Sequence, residues 1–380
     1  MRLILFTIMT LLLANTIAIT SFADTNESPL KQSKMVSDIH DIKCKSHLTL
    51  IFKANGWIPA CVKPASVEKL VERGWAADHD PHHKMMNTAM PSEKIFFTLQ
   101  GDDQIGNFDK EKLDAGTMMT YITSNNDGSL VLATSSGSDT VYAFDMLHEK
   151  LISKIAVGED PKGIKIHPDE NIAFVANESS GTIGVIDLEL FEMTQEIQVG
   201  QIPHNIRFDS MGNIAYVTIQ GEDKIAVIDV KILEITDWIS VGKLPHNLDL
   251  SPDDRYLYTA NIGTSDVAVI DLQTKETVKR INVSTGHHGI DVSNDGKRIY
   301  VSGIGSDKMN VIDAESLELI NQIDVGQGPH GIRTSIDGSK VFVGVTTTNE
   351  ILVIDTTTLE VKDVVQSGNK PFWIAVPGNS

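Results

Sequence analysis

Cysteine is almost missing from this chain. Of 380 residues only Cys44 and Cys61 carry a thiol, and no C-x-x-C-H run is present to attach haem covalently. There is no G-x-S-x-G elbow, no P-loop and no H-E-x-x-H pair, so the usual signatures of α/β-hydrolases, P-loop nucleotide enzymes and zinc peptidases are all lacking. Positive charge is scarce too: 32 Lys and Arg stand against 51 Asp and Glu, for a formal charge of −19. Removing residues 1–23, which hold one arginine and no acid, leaves −20. Nucleic acid is excluded as a partner on that balance, since its phosphates would be repelled. Past residue 23 no apolar run is long enough to span a bilayer.

What is present begins with a secretory signature. Arg2 supplies the positive start, Leu3 to Ile19 the apolar run, and Ser21-Phe22-Ala23 a small-x-small cleavage site. The other reading of this run, near the lower length limit for a span, is an uncleaved anchor. No cysteine stands at the cleavage site, so a lipid anchor is not expected there.

From Gly116 onward the chain repeats every 42 residues. Asp145, Asp187, Asp229, Asp271, Asp313 and Asp355 keep that step, as do Gly158, Gly200, Gly242, Gly326 and Gly368, with Ser284 in the empty slot. Within a unit, four strand-length runs rich in Ile, Val, Tyr and Thr alternate with turn signals such as Asn126-Asp127-Gly128 and Asp337-Gly338. Four antiparallel strands in that length make one propeller blade. The repeated Asp is expected to cap the turn after the third strand.

Six complete units run from Gly116 to Gly368. The remainder, K-P-F-W-I-A-V-P at 370–377, matches only a first strand, while K-I-F-F-T-L-Q-G-D-D-Q-I-G-N-F-D at 94–109 and the residues to Gly116 match a second, third and fourth. The two ends therefore complete a seventh blade, which removes an open sheet edge. The runs A-Y-V-T-I at 215–219, R-Y-L-Y-T-A-N at 255–261 and R-I-Y-V-S-G at 298–303 resemble the YVTN-type β-propeller repeat. The resemblance covers residues 94–380 and implies the fold; members of such families serve as scaffolds, binding proteins and enzymes.

Residues 24–93 form a separate extension. In an exported chain Cys44 and Cys61 most simply form one disulfide, worth ~3 kcal/mol in the loop-entropy account; two thiols acting as soft metal ligands are the alternative. Residues 64–75 predict a short helix between Pro64 and Gly74. The stretch from Cys44 to Ala76 is similar to a motif of exported proteins of ammonia-oxidising archaea, which implies an extracytoplasmic address. Residues 78–90 gather three histidines and three methionines, either a polar linker or a donor set suited to copper.

The chemistry that travels with the blades is histidine. Pro203-His204, Pro245-His246, His287-His288 and Pro329-His330 open four consecutive innermost strands, where the other blades place Thr120, Lys162 and Phe372. Innermost strands line a propeller's channel, so His204, His246, His287, His288 and His330 are candidate ligands for copper or zinc at its mouth. The competing reading is structural: each imidazole braces the neighbouring blade's backbone. The arrangement is similar to the histidine mouth of the nitrous oxide reductase propeller, which holds a copper cluster on seven ligands; five histidines stand in these turns here, and no cupredoxin domain follows. Among loops on the same face, Glu178, Glu222, Asp223 and Asp307 are placed to reach toward the mouth, whereas His148 and His167 read as surface residues of outer turns.

The expectation is an exported, monomeric, all-β seven-bladed propeller (94–380) behind a signal (1–23) and a disulfide-bearing extension (24–93). It would act as a non-enzymatic binding or scaffold protein, taking a protein, small-molecule or metal ligand at the channel mouth, with no catalytic residue assigned. A copper-dependent oxidoreductase or copper carrier is the alternative.

Overall fold

The computed structural model describes residue 44, residues 49–52, 59–63, 66, 69–70, 94–109 and 111–379. The chain divides between Ala89 and Met90 into two compact units.

In the first unit, β1 (Thr49–Phe52) pairs antiparallel with β2 (Pro59–Val62), with Leu50 opposite Cys61. Cys61 is joined to Cys44 in a disulfide with Cα atoms 5.6 Å apart. Lys69 and Leu70 are helical, as the 64–75 pattern requires of them. The rest of that helix, the signal segment and the histidine/methionine stretch at 78–90 lie outside the described residues.

The second unit is built from seven four-stranded antiparallel sheets. The seventh joins β30 (Pro371–Ala375) to β3 (Phe96–Leu99), β4 (Gln104–Asn107) and β5 (Lys112–Asp114), in that order from the inside out. The other six follow in sequence: β6–β9 over residues 119–156, β10–β13 over 161–198, β14–β17 over 203–240, β18–β21 over 245–282, β22–β25 over 287–324 and β26–β29 over 329–366. The fold is thus all-β, a seven-bladed propeller closed through its split blade.

Burial follows from the radial position of each strand. In the blade of 203–240, β15 (Ile214–Ile219) and β16 (Lys224–Asp229) are covered on both faces by neighbouring blades, so their apolar runs are near-continuous. The outermost strand, β17 (Glu234–Ser240), alternates polar and apolar residues. Phe174, Val185, Ile206, Phe208 and Val217 fill the space between this blade and the one before it.

The repeated Asp behaves as its spacing predicts. Asp187 Oδ1 accepts from the amides of Glu189 and Leu190 at 2.8 and 2.9 Å, and Asp355 Oδ1 from those of Thr357 and Thr358, both at 2.8 Å.

One irregularity positions the site. In each of the six continuous blades the inner strand shifts register just after it starts, as between Pro203 and Ile206. A bulge there re-aims the side chains at positions such as His204 and Asn205.

Candidate binding site at the channel mouth

The inner-strand register puts Thr120, Lys162, His204, His246, His288, His330 and Phe372 at equivalent places around the axis. One residue further in lie Tyr121, Asn205, Asn247 and Trp373, with glycine at 163, 289 and 331. Inner strands converge toward the axis, and the glycines mark where they come closest. A Cβ on Gly163 would stand 2.6 Å from the His204 carbonyl oxygen and 2.7 Å from the Asn205 Cα. With no side chain at Gly163, Tyr121 reaches past that blade to His204.

That contact begins a buried network. His204 Nδ1 lies 3.0 Å from a Glu178 carboxylate oxygen, which only accepts, so Nδ1 carries the proton. Nε2 then accepts from the Tyr121 hydroxyl at 2.8 Å. The same hydroxyl sits 3.2 Å from Asn247 Oδ1, which also accepts from the Asn205 amide. Asn247 Nδ2 in turn donates to His246 Nδ1 at 2.7 Å. The rings of His204 and His246 meet with centroids 3.9 Å apart. Burial above all raises the Tyr121 phenol well beyond its ordinary pKa, which keeps it a proton donor.

Across the mouth, His330 Nδ1 donates to the Phe372 carbonyl oxygen at 3.1 Å, and its ring lies over Phe372 at 3.8 Å between centroids. Trp373 links the two sides: it meets His330 edge-on at 6.0 Å and Tyr121 at 4.5 Å. Above this floor opens a cavity of about 610 Å³. Its wall carries His204, His246, His330, Lys162, Lys370 and Phe372, and among the described residues neither Asp nor Glu lines it, although Asp160 pairs with Lys162 at 2.7 Å just behind the wall.

The structure therefore brings His204 and His246 into contact and seats His330 opposite them. His287 and His288 begin β22 at the matching place, but their side chains lie outside the described residues. Among the described residues, no group of three or more His, Cys, Asp and Glu is spaced to hold a metal. His204 spends both ring nitrogens on side chains of other blades, Glu178 and Tyr121, whereas the expected bond to a neighbouring blade's backbone is made by His330 to Phe372.

Of the acidic loop residues, Glu178 reaches the mouth. Glu222 instead accepts from the Gln201 amide and pairs with Lys224, and Asp223 accepts from the Leu244 amide. His148 is a surface residue paired with Asp145. His167 is not, contrary to its expected place: it is buried, its Nε2 donates to the Gly212 carbonyl at 2.8 Å, and its ring packs edge-on against Phe208. The outer turn of one blade is roofed by the turn of the next, which the linear repeat does not reveal.

Two groups escaped the sequence reading. Tyr121 occurs in one blade only, so no periodicity marks it. The other is a charged layer three residues beyond the histidine register: Lys165, Arg207, Asp249, Asp291 and Arg333, all buried. Stepping along that register by three would have found it.

Fold and mouth together define a seven-bladed β-propeller with a ligand-sized opening at one end of its channel. Comparisons with known proteins agree on the class. Residues 115–285 match the family model described as lactonase, 7-bladed β-propeller, and residues 249–340 match that of the YNCE-like β-propeller. No curated protein matches the sequence. Hydrazine synthase of Kuenenia stuttgartiensis is similar in structure, with a TM-score of 0.62 and 19% identity over 69% of this chain and 90% of that one. A functionally unknown protein of Desulfotomaculum acetoxidans reaches 0.67 at 16% identity, over 76% of this chain and 100% of its own. A candidate 6-phosphogluconolactonase of Bacteroides uniformis reaches 0.64 at 18% identity, over 74% and 98% respectively. At such identities the likeness is one of fold.

Proposed function

We propose that this is an exported, non-enzymatic binding propeller of the YVTN type that takes a small anionic ligand with a flat body at the mouth of its channel. The observation that carries this reading is the wall of the 610 Å³ cavity, where Lys370, three histidines and an aromatic floor meet and no carboxylate stands among the described lining residues, Asp160 and Glu178 being spent behind it on Lys162 and His204, in a protein of formal charge −19. Its volume suits a small organic molecule. Phe372 and His330 offer a face for stacking, and Lys370 offers a charge-assisted hydrogen bond, while Lys162 is already paired with Asp160 at 2.7 Å.

A non-enzymatic role fits the way the polar groups are spent. A general base needs an available lone pair beside the reacting atom. The His204 lone pair is held by Tyr121, and the Tyr121 proton is held in turn. Copper or zinc on the histidines, as in a nitrous-oxide-reductase-like mouth, is the second reading. The ring contact of His204 with His246 supports it, since imidazoles of consecutive blades do converge. On the binding reading the protein works as a monomer outside the cytoplasm, released from its signal at Ala23 and carrying the Cys44–Cys61 bond.

Calorimetric titration of the secreted protein with a panel of small aromatic carboxylates and phosphates tests the proposal. We expect saturable binding that weakens about tenfold or more in Lys370→Ala, as loss of one charge-assisted bond implies. Three results would overturn it: turnover of a lactone or redox substrate, stoichiometric uptake of copper or zinc that displaces every organic ligand, or organic binding unchanged in Lys370→Ala and Phe372→Ala.

A further inference from the structure

Below the mouth, the charged layer is unbalanced. Arg207 Nε lies 2.9 Å from Asp249 Oδ1, and Arg333 Nη1 lies 3.3 Å from Asp291 Oδ1, with Arg207 Nη2 3.9 Å from the same oxygen. The other carboxylate oxygens are also satisfied. Asp249 Oδ2 accepts from the Val292 amide at 2.8 Å, and Asp291 Oδ2 accepts from the Thr334 amide and hydroxyl, both at 2.7 Å. Two anions thus serve two arginines, and Lys165 is left over. It is 7% exposed, its ammonium has no hydrogen-bond or ion-pair partner among the described residues, and it also borders a wider cavity of about 280 Å³ toward the outer turns. The two remaining places in this register, Thr123 and Ala375, bring no charge.

A small cavity sits at this level. It holds about 10 Å³, room for roughly one water-sized occupant. Lys165, Arg207 and Arg333 all line it, and neither Asp249 nor Asp291 does. Asn379 and the end of β30 complete its wall. Each guanidinium has five N–H donors, more than its carboxylate and carbonyl contacts use.

We propose that this cavity is a binding site for one halide-sized anion, with chloride the natural occupant, held by Lys165 and flanked by Arg207 and Arg333. A buried charge without a partner is costly, and a neutral water leaves three cations facing two anions. A single monatomic anion balances the layer and is small enough for the space shared by Lys165, Arg207 and Arg333, whereas phosphate, sulfate or a carboxylate is not; the wider cavity on the outer side of Lys165 is lined by neither arginine. Burial, together with Arg207 and Arg333, otherwise drives the Lys165 ammonium well below the ordinary lysine pKa. The site is independent of whatever ligand the mouth takes.

The full mature protein provides the test. Its melting temperature should rise with chloride at constant ionic strength, by roughly 2 °C per tenfold excess over the dissociation constant, and stay flat in gluconate. Crystals grown in bromide should show one anomalous peak between Lys165, Arg207 and Arg333. Lys165→Met should remove both effects. Equal melting in chloride and gluconate with no bromide peak overturns the proposal. So does a bromide peak without any chloride dependence, which marks an adventitious ion only. A folded Lys165→Met protein that keeps its chloride response also overturns the assignment of Lys165. If that variant does not fold, the wild-type chloride series and bromide peak decide the matter.

Discussion

At the scale of single residues, what the repeat states outright was legible. The histidine register could be read from spacing alone, and the structure aligns the first residues of the inner strands accordingly. What a side chain does on reaching the axis was not legible, because that depends on the residue beside it. Tyr121 can bond His204 because the blade between them carries Gly163. This makes Gly163 a sensitive position. In Gly163→Ala the new methyl group would meet the His204 carbonyl and the Asn205 Cα at 2.6 and 2.7 Å, both backbone atoms of a strand wedged in the ring. Relief requires moving that strand, so we expect a loss of about 1–3 kcal/mol, read as a lower urea midpoint at unchanged slope. Ligand binding at the mouth should weaken in parallel, since His204 moves with its carbonyl.

The element scale shows how one blade registers on the next. Asp103, Asp139, Asp223 and Asn349, at the ends of the second-to-third-strand loops, accept from the amides of Met118, Asp160, Leu244 and Lys370 in the following blade, at 2.9–3.2 Å. Those four donors all have positive φ, between 51 and 55°, which side-chain-bearing residues rarely adopt. The pinned amide explains why such bulky residues stay there. Among the described residues the link uses two residue types and is found in four blades, so no consensus announces it. The Asx turns after the third strands, by contrast, were plain from their strict period. Acid should loosen these turns. Backbone bonds from Ser316 and Thr358 hold the Asp313 and Asp355 carboxyls below the ordinary 3.8. The Ser335 hydroxyl, with Ser339, takes Asp337 down to about 2. A carboxyl with a depressed folded pKa stabilises the fold above its unfolded pKa and loses that contribution as pH falls toward the folded value. Melting temperature should therefore hold near neutrality and drop between about pH 4 and 2. Asp337→Asn should fall less steeply over that window in a calorimetric pH series.

For the whole molecule, period and remainder were enough to count seven blades and to place the seam, because a ring has only one way to use three strands at one end and one at the other. The buried charges of the channel needed the third dimension: Lys165 and Arg333 are far apart in sequence and adjacent only around an axis. Removing residues 370–380 takes out β30, Trp373 and Asn379 together. It leaves β3 unpaired along its inner edge and opens the charged layer to water. We expect the single cooperative thermal transition to disappear rather than shift, as followed by circular dichroism. The seam also sets the order of events in time. The Trp373 amide donates to the Thr98 hydroxyl across 275 residues of chain, whereas every other blade closes within its own 42-residue unit. Local hairpins can form as each blade is made, but the loop that joins the ring has the largest closure entropy in the molecule and therefore the slowest step. Until it closes, the nascent protein is a curved ribbon with two sticky ends. Two such ribbons can exchange their last strand, so crowding during refolding should yield strand-swapped dimers before any other misfolded form.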